Sequence, residues 1–228
     1  MPGRLTLTVD TEELSAAFPG VLLPDSYQPS YNIAPQSPVA VISNSNPQLL
    51  DHMIWGMIPS WQQGVKMTSF LINARGESVH QKPTFKTSFA KRRCLVPVDG
   101  YYEWLKVEGV KAKQPYHIHM KARRPFAFAG IWDSWQSMDG SDVITFAIIT
   151  CEPNELVKRI HHRMGVILDP EDYELWLSQE DVPMAELLPL LRPYPAEEMT
   201  FHKVSKQAGN PSNDSPDLVD PIADEGVL

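Results

Sequence analysis

The sequence predicts an α+β fold, a single domain with a mostly antiparallel, barrel-like β-core and peripheral helices. Short apolar or alternating segments recur along the chain and are bounded by proline and glycine, as is typical of strands. Few helical segments separate them, so the regular alternation of strand and helix that builds a parallel sheet is missing. The 21 prolines among 228 residues also argue against a helix bundle.

Capping residues and apolar runs predict the order of the elements. The first helix is expected to begin after Asp10, because Asp10 and Glu13 have the spacing of a capping box, and to end before Pro19. Apolar stretches of four to eight residues predict the strands. Further helices are expected at 86–93, 155–164, 170–177 and 184–191, and strands at 39–43, 53–58, 94–105, 116–121, 126–132, 143–150 and 166–168.

Composition excludes several classes of protein. The mean hydropathy is −0.26, and no run approaches the ~18 apolar residues of a membrane span. The acidic N-terminal segment lacks the features of a secretory signal, and two cysteines are too few for a disulfide scaffold. No glycine-rich nucleotide motif is present. We therefore expect a cytoplasmic monomer with no cofactor, nucleotide or membrane partner, a domain over residues 1–215 and a tail over 216–228.

Charge is distributed unevenly along the chain. The net charge is −8, yet residues 75–124 hold 12 Lys and Arg against 4 Asp and Glu, which leaves −16 on the remainder. A local basic face is sufficient for binding a polyanion, but the same residues, Arg92 and Arg93 included, can form a solvated surface. Trp61 follows Pro59 and is expected on an exposed loop, either as a stacking platform for an unpaired base or packed against the core.

Polar residues interrupt the apolar segments at a few places. Asn73 and Arg75 follow an apolar run, where they either cap a loop and pair with carboxylates or orient a polar ligand and hold a phosphate. Glu103 lies between Tyr102 and Trp104. Such surroundings raise a carboxyl pKa and suit general acid catalysis, unless the Glu is simply paired with a nearby cation.

Histidines occur in two groups with different implications. His161 and His162 are expected late in a helix, with one ring facing inward and one outward. An inward imidazole together with Glu103 and Asn73 would be a candidate acid–base site. His117 and His119 share a strand face and could ligate a metal, but the sequence shows no convincing third ligand, so no metal site is expected.

Ordered motifs extend over nearly the whole chain. They are GR at 3–4, SYNIAP at 30–35, WGMIPSW at 55–61, INARGE at 72–77, KRRCLVPVDGYYEW at 91–104, AFAGIW at 127–132, IIT at 148–150 and IHHRMGVIL at 160–168. Together they resemble the SOS-response-associated peptidase (SRAP) family, as far as about Ser215. The resemblance implies a barrel-based α+β fold, a role in the response to DNA damage, and single-stranded DNA with abasic sites as partner.

The resemblance also implies roles for individual residues. Positions that contact the sugar or handle protons in the family are matched by Asn73, Glu103 and His161. Positions that hold DNA or line the family's pocket are matched by Arg4, Asn32, Trp61, Arg75 and Thr150.

One departure from the family pattern affects the expected chemistry. The family's second residue is a cysteine, whose freed amine and thiol together capture the sugar aldehyde in a thiazolidine, a stable covalent DNA–protein linkage. This chain has Pro2 there, and it has Gly165 where the family has a proline. Without the thiol no thiazolidine forms, and no nucleophile for peptidase activity is visible. Cys94 and Cys151 lie in apolar strand segments and are not obvious substitutes.

Several outcomes for Pro2 remain open. If Met1 is removed, the secondary amine of Pro2 can form an iminium with the aldehyde, which predicts an abasic-site lyase with a transient covalent link. If Met1 stays, the Pro2 nitrogen is a tertiary amide, and the protein is a non-covalent DNA-binding module. Pro2 could also be a change introduced into a parent with the usual cysteine. A hydrolase unrelated to DNA that uses Glu103 and His161 is a further alternative.

Overall fold

Strands dominate the part of the chain that the computed structural model describes, namely residues 2–62, 70–106, 109, 113–137 and 140–223. In chain order the strands are β1 (Leu5–Leu7), β2 (Ser30–Ile33), β3 (Pro38–Ser43), β4 (Asn46–Trp55), β5 (Asn73–Arg75), β6 (Arg93–Val98), β7 (Gly100–Leu105), β8 (Gln114–Met120), β9 (Phe126–Gln136), β10 (Asp142–Cys151), β11 (Met164–Gly165), β12 (Ile167–Leu168) and β13 (Met199–Lys203). The α-helices are α1 (Thr11–Ala17), α2 (Gly76–Val79), α3 (Lys86–Lys91), α4 (Tyr173–Trp176) and α5 (Met184–Leu187).

A closed barrel forms the centre of the fold. Strands β10, β4, β3, β6 and β9 pair in that order, and β9 pairs back onto β10. Only the β10–β4 pairing in this ring is parallel. β9 is buried on both faces over Phe126–Ile131, because its inner face fills the barrel while α3 and α4 pack outside β9 and β6. Phe89 and Trp176 form the contact between those two helices.

A second, antiparallel sheet carries the beginning of the chain, with strand order β13–β8–β7–β1–β2. In the β1–β7 pairing Leu5 lies opposite Tyr101, and the Tyr102 N–H donates to the Arg4 carbonyl at 2.9 Å. Continued by two residues, this register places Gly3 opposite Glu103. Gly3 therefore lies beside the end of β7. The architecture confirms the predicted fold class.

Local signals predicted α1 correctly but failed at the predicted helix over 155–164. Asp10 Oδ1 accepts from the Glu13 N–H at 2.9 Å and caps α1. Asn154 caps in the same way, yet only one 3₁₀ turn, Val157–Arg159, follows it. The chain then turns into β11, because Gly165 pairs with Thr150 of β10. Backbone pairing with the barrel thus replaces the helix.

Arg93 corrects the picture of a continuous basic face. The predicted helix over 86–93 ends at Lys91, and Arg93 begins β6 with a fully buried side chain. Its guanidinium donates to the carbonyls of Trp176 at 2.8 Å and Ser178 at 2.9 Å. Arg92 instead pairs with Asp133 at 3.1 Å. Arg93 therefore anchors the segment after α4 and is not available to a polyanion.

The described part of the C-terminal segment packs on the second sheet. Residues Pro216–Val219 form a 3₁₀ turn in which Leu218 is fully buried. Residues 224–228 of the predicted tail lie outside the described residues, as does Met1. Within the described ranges, the helices are all too short or too polar to cross a bilayer.

Candidate active site

Strand β5 presents an amide to the beginning of the chain. It runs parallel to β10, with Asn73 opposite Ile148 and Arg75 opposite Thr150. Alternation along the strand places Asn73 and Arg75 on one face. Asn73 Nδ2 donates to the Pro2 carbonyl at 3.0 Å, and among the described residues its buried Oδ1 has no hydrogen-bond partner. Asn73 Oδ1 is therefore able to accept a hydrogen bond from a hydroxyl of a bound ligand. Arg75, on the same face of β5, is exposed.

Glu103 supplies a buried carboxyl group on β7. Only 4% of the residue is exposed, and burial raises its pKa to about 7. A carboxyl group in this state exchanges its proton at neutral pH, which suits both general acid and general base catalysis. The sequence left a raised pKa and a simple ion pair as alternatives, and burial favours the raised pKa.

His161 places a neutral imidazole next to this carboxyl group. Its Nδ1 lies 4.0 Å from Glu103 Oε1, 3.0 Å from the Arg163 backbone nitrogen and 3.1 Å from the Arg163 carbonyl oxygen, so the backbone of Arg163 orients the ring. Desolvation by burial, with nearby positive charge, lowers the pKa of His161 to about 4. His162 stacks on His161 and is exposed, so one ring faces inward and one outward as predicted.

Pro2 fits against the barrel at a position where a glycine is needed. Pro2 is buried, and a Cβ on Gly165 would lie 3.0 Å from Pro2 Cγ. The same Cβ would lie 2.4 Å from Phe128 Cε1, which is closer than real contacts allow. Any side chain at position 165 would therefore displace the Phe128 ring and press on the proline ring.

Arg163 and Glu77 hold the strands around the site, and the sequence analysis assigned no role to either. Arg163 binds both carboxylate oxygens of Glu77, at 2.9 Å on the second oxygen, and Arg163 Nη2 donates to the Thr150 carbonyl at 2.7 Å. The Arg163 hydrogen bond lowers the pKa of Glu77. This bidentate pair joins the residues after β5 to the turn that carries His161. The one sequence signal for them was that Glu77 lies in the INARGE motif and Arg163 in the IHHRMGVIL motif.

Arg4 and Asn32 meet each other in a separate buried network. Arg4 Nη1 donates to Asn32 Oδ1 at 2.7 Å and to the Ala208 carbonyl at 2.9 Å. Asn32 Nδ2 donates to the carbonyls of Asn210 at 3.0 Å and Asn213 at 2.6 Å. Both side chains thus fix the N-terminal strand to the C-terminal segment. Their predicted contact with DNA stays a prediction, as does that of Thr150, which is fully buried.

Trp61 lies on a loop and exposes 64% of its surface. The loop is attached to β9 on either side of the indole. The Ser60 N–H donates to Asp133 Oδ2 at 2.9 Å, and Trp135 Nε1 donates to the Gln62 carbonyl at 2.6 Å. The predicted exposure is confirmed. An anchored, exposed indole is able to stack on a base, and that role stays a prediction.

Neither cysteine can replace the missing thiol at position 2. Cys94 and Cys151 are both buried. Burial raises the pKa of Cys94 far above its ordinary value and that of Cys151 to about 12. Both therefore remain protonated and inert at neutral pH.

A carboxyl group, an imidazole and an amide thus lie beside the first residues of a barrel-based α+β domain. This arrangement is a candidate acid–base site built around the first described residues of the chain. The profile of the family described as SOS response associated peptidase (SRAP) matches residues 1–211. The chain belongs to this family.

Relatives and solved structures agree with this assignment. The abasic site processing protein YoqW of Bacillus subtilis (strain 168) is 37% identical over 223 residues, covering 96% of this chain and 99% of the relative. The abasic site processing protein HMCES of Gallus gallus is 34% identical over 229 residues, covering 86% and 67%. The crystal structure of a protein from Bacteroides thetaiotaomicron has a TM-score of 0.84 at 27% identity, covering 96% of this chain and 99% of that one.

Proposed function

We propose that this chain processes abasic sites in single-stranded DNA as part of the response to DNA damage. The observation that carries the proposal is the grouping of Glu103, His161 and Asn73 beside Pro2. An abasic deoxyribose in its open form has an aldehyde. An amine at the start of the chain can attack this aldehyde, and the acid–base residues beside it can move the protons of that reaction. The names of the relatives YoqW and HMCES, both abasic site processing proteins, support the same substrate.

The proposed chemistry starts from a chain that has lost Met1. The secondary amine of Pro2 then attacks C1′ of the sugar and forms a C–N bond, the C=O π bond breaks, and the N–H proton passes to the carbonyl oxygen to give a carbinolamine. Glu103 donates a second proton to this oxygen, water leaves, and an iminium forms. An α-amine has a pKa near ~8, so on the order of a tenth is neutral at pH 7 and able to attack.

The iminium then has two fates, because no thiol is present to trap it. Removal of a C2′ proton expels the 3′ phosphate with the electrons of the C3′–O bond, and water afterwards hydrolyses the iminium and frees Pro2. Alternatively, water hydrolyses the iminium directly. Glu103 in its carboxylate form is the proposed base for the C2′ proton. The neutral His161 adds a hydrogen-bonding group without a positive charge that would repel the iminium.

Pro2 and Gly165 support this use of a proline. Both positions differ from the pattern that the family resemblance implies, and a Cβ added at position 165 would lie 3.0 Å from Pro2 Cγ. The ring of Pro2 occupies space that a side chain at position 165 would claim. The site is therefore shaped to accept a proline at its start.

Two exposed residues are proposed to hold the DNA. Arg75 lies on the same face of β5 as Asn73, where a guanidinium can bind a phosphate next to the damaged sugar. Trp61 offers a stacking surface for an unpaired base. A stacking indole requires an unpaired base, so duplex DNA is expected to bind more weakly.

The proposal is tested with a single-stranded oligonucleotide that carries one abasic site, with and without borohydride. The chain should give an adduct only with borohydride, together with strand cleavage when borohydride is omitted. Pro2→Cys should give a stable adduct without borohydride, because the amine and the thiol then act together. Glu103→Gln should slow adduct formation by roughly 10²–10⁴-fold. Intact mass spectrometry shows whether Met1 is present.

The controls separate the proposal from its alternative. Glu152→Gln removes an exposed carboxylate outside the site and should leave the rate unchanged. If neither the natural chain nor Pro2→Cys forms an adduct, the proposal is wrong. If only Pro2→Cys does so while both bind DNA, the natural chain is the non-covalent binding module.

A further inference from the structure

Three imidazoles meet on the second sheet, away from the proposed active site. His117 and His119 are two residues apart on β8 and so share a face, and His202 of β13 lies directly opposite His117. One ring nitrogen of each lies within 4.8 Å of the other two. Tyr102 pairs with His117 on this same face. Glu103, the next residue of β7, therefore points to the opposite face.

Backbone carbonyls fix the tautomers of two of these rings. His119 Nδ1 lies 2.8 Å from the Met120 carbonyl, and His202 Nε2 lies 2.8 Å from the Val219 carbonyl. A carbonyl only accepts, so each of these nitrogens carries its ring proton. The other two nitrogens, His119 Nε2 and His202 Nδ1, face each other at 3.3 Å. In neutral rings, two lone pairs oppose one another there without a proton between them.

The third ring is oriented by a hydroxyl and a carboxylate. The Thr6 hydroxyl donates to Asp99 Oδ1 at 2.6 Å, so its oxygen accepts from His117 Nε2 at 3.1 Å. The nitrogen left for another partner is Nδ1. It is buried, the residue is 4% exposed, and Nδ1 has no hydrogen-bond partner among the described residues. Gly100 allows this placement, since a Cβ there would lie 2.2 Å from His117 Nε2.

We propose that His117, His119 and His202 bind a divalent transition-metal ion, with Zn²⁺ the best match. Zn²⁺ binds imidazole nitrogens at about 2.0–2.1 Å, so two ligands at a tetrahedral angle lie roughly 3.3 Å apart. The nitrogens of His119 and His202 have this separation. Histidine ligands of metals commonly donate their other N–H to a carbonyl or a carboxylate-linked group, as all three rings do here.

A shared proton between His119 and His202 is the competing explanation for the short distance. It requires one ring to be an imidazolium inside the fold. It also leaves the third ring unexplained, because His117 Nδ1 is buried and has no hydrogen-bond partner among the described residues. Neutral imidazole is the form that binds metals.

The bound ion would hold together segments that are distant in sequence. His202 lies 83 positions after His119, which explains why spacing within β8 alone revealed only two ligands. Through His202 the ion would fix β13 and the Val219 turn to β8. Through His117, Thr6 and Asp99 it would also support β1. Its role would be structural, since Glu103 points away from it.

The test uses the full chain without an affinity tag, stripped with a chelator and titrated with Co²⁺ alone. We expect one Co²⁺ per chain, with the visible absorption bands of a low-coordinate cobalt site, and displacement by Zn²⁺. His202→Gln should weaken binding at least 100-fold and abolish the rise in melting temperature that Zn²⁺ gives. The matched control is His52→Gln, which removes an exposed histidine of β4 and should bind like the natural chain.

A measurement on the natural chain keeps the proposal testable if the variant fails to fold. Nitrogen chemical shifts of the histidine rings should move on adding Zn²⁺ at His117 Nδ1, His119 Nε2 and His202 Nδ1. Unchanged shifts at these atoms would overturn the proposal, as would the absence of stoichiometric Co²⁺ binding. If the protein binds no metal and one of the three histidine rings is charged at neutral pH, a proton shared between His119 and His202 explains their short distance instead.

Discussion

Replacing Glu103 by Gln tests whether the pKa of the carboxyl group at the centre of the site is raised. Burial raises the pKa of Glu103 from its ordinary 4.5 to about 7. Below pH 4.5 the group is protonated in both the folded and the unfolded chain and has no effect on pH dependence. As the pH rises towards 7 the unfolded chain loses this proton first, so the free energy of unfolding falls.

The magnitude follows from the size of the pKa difference. Each pKa unit corresponds to about 1.4 kcal/mol, so the loss between pH 4.5 and pH 7 amounts to about 3 kcal/mol. Glutamine has nearly the same shape and no charge. The natural chain should therefore lose about 3 kcal/mol of unfolding free energy between pH 4.5 and pH 8 that Glu103→Gln retains.

The assay is urea unfolding of both proteins at a series of pH values from 4.5 to 8, with Glu152→Gln as the exposed control. His161 acts in the opposite direction: its pKa is lowered to about 4, so stability falls as the pH drops from 6.5 towards 4. That contribution is present in all three proteins, and the difference between them isolates Glu103. A difference between natural chain and Glu103→Gln that stays constant with pH would refute the raised pKa.

Three further substitutions test the remaining assignments. Arg75→Ala should make the plot of log binding constant for single-stranded DNA against log salt concentration less steep by about 0.7. An unchanged slope would show that Arg75 does not contact the DNA. Trp61→Ala should weaken binding of single strands by about 1–3 kcal/mol in fluorescence anisotropy, and an equal loss for duplex DNA would argue against stacking. Gly165→Ala should lower the free energy of unfolding by about 1–3 kcal/mol, because its Cβ meets the Phe128 ring; a stability equal to the natural chain in urea would show that the ring moves freely.

Local chemistry was the part of the site that the sequence predicted well. A raised pKa for Glu103 was one of the two alternatives that the sequence offered, and burial of the carboxyl group raises it. The cap at Asp10 predicted α1 for the same kind of reason, since both signals lie within a few residues of the feature. The fold class followed from many such short segments taken together.

Features that depend on pairing between distant segments were missed. The Arg163–Glu77 bridge spans 86 residues, and the His119–His202 contact spans 83. The predicted helix over 155–164 failed because β11 gains hydrogen bonds from β10, a strand already present in the barrel. Helix caps and hydrophobic periodicity carry no information about such distant partners. The local sequence pattern therefore predicted neither the Arg163–Glu77 bridge nor the role of His202.

The network of Arg4 and Asn32 has a consequence for how loss-of-function variants should be interpreted. It clamps the peptide just after Pro2 to the carbonyls of Ala208, Asn210 and Asn213. Rearrangement of that distal loop would shift Pro2, the proposed nucleophile, relative to Glu103, its proposed proton donor. Impaired activity in a variant of residues 208–213 would then report a mispositioned nucleophile, even though none of these residues need ever touch the lesion.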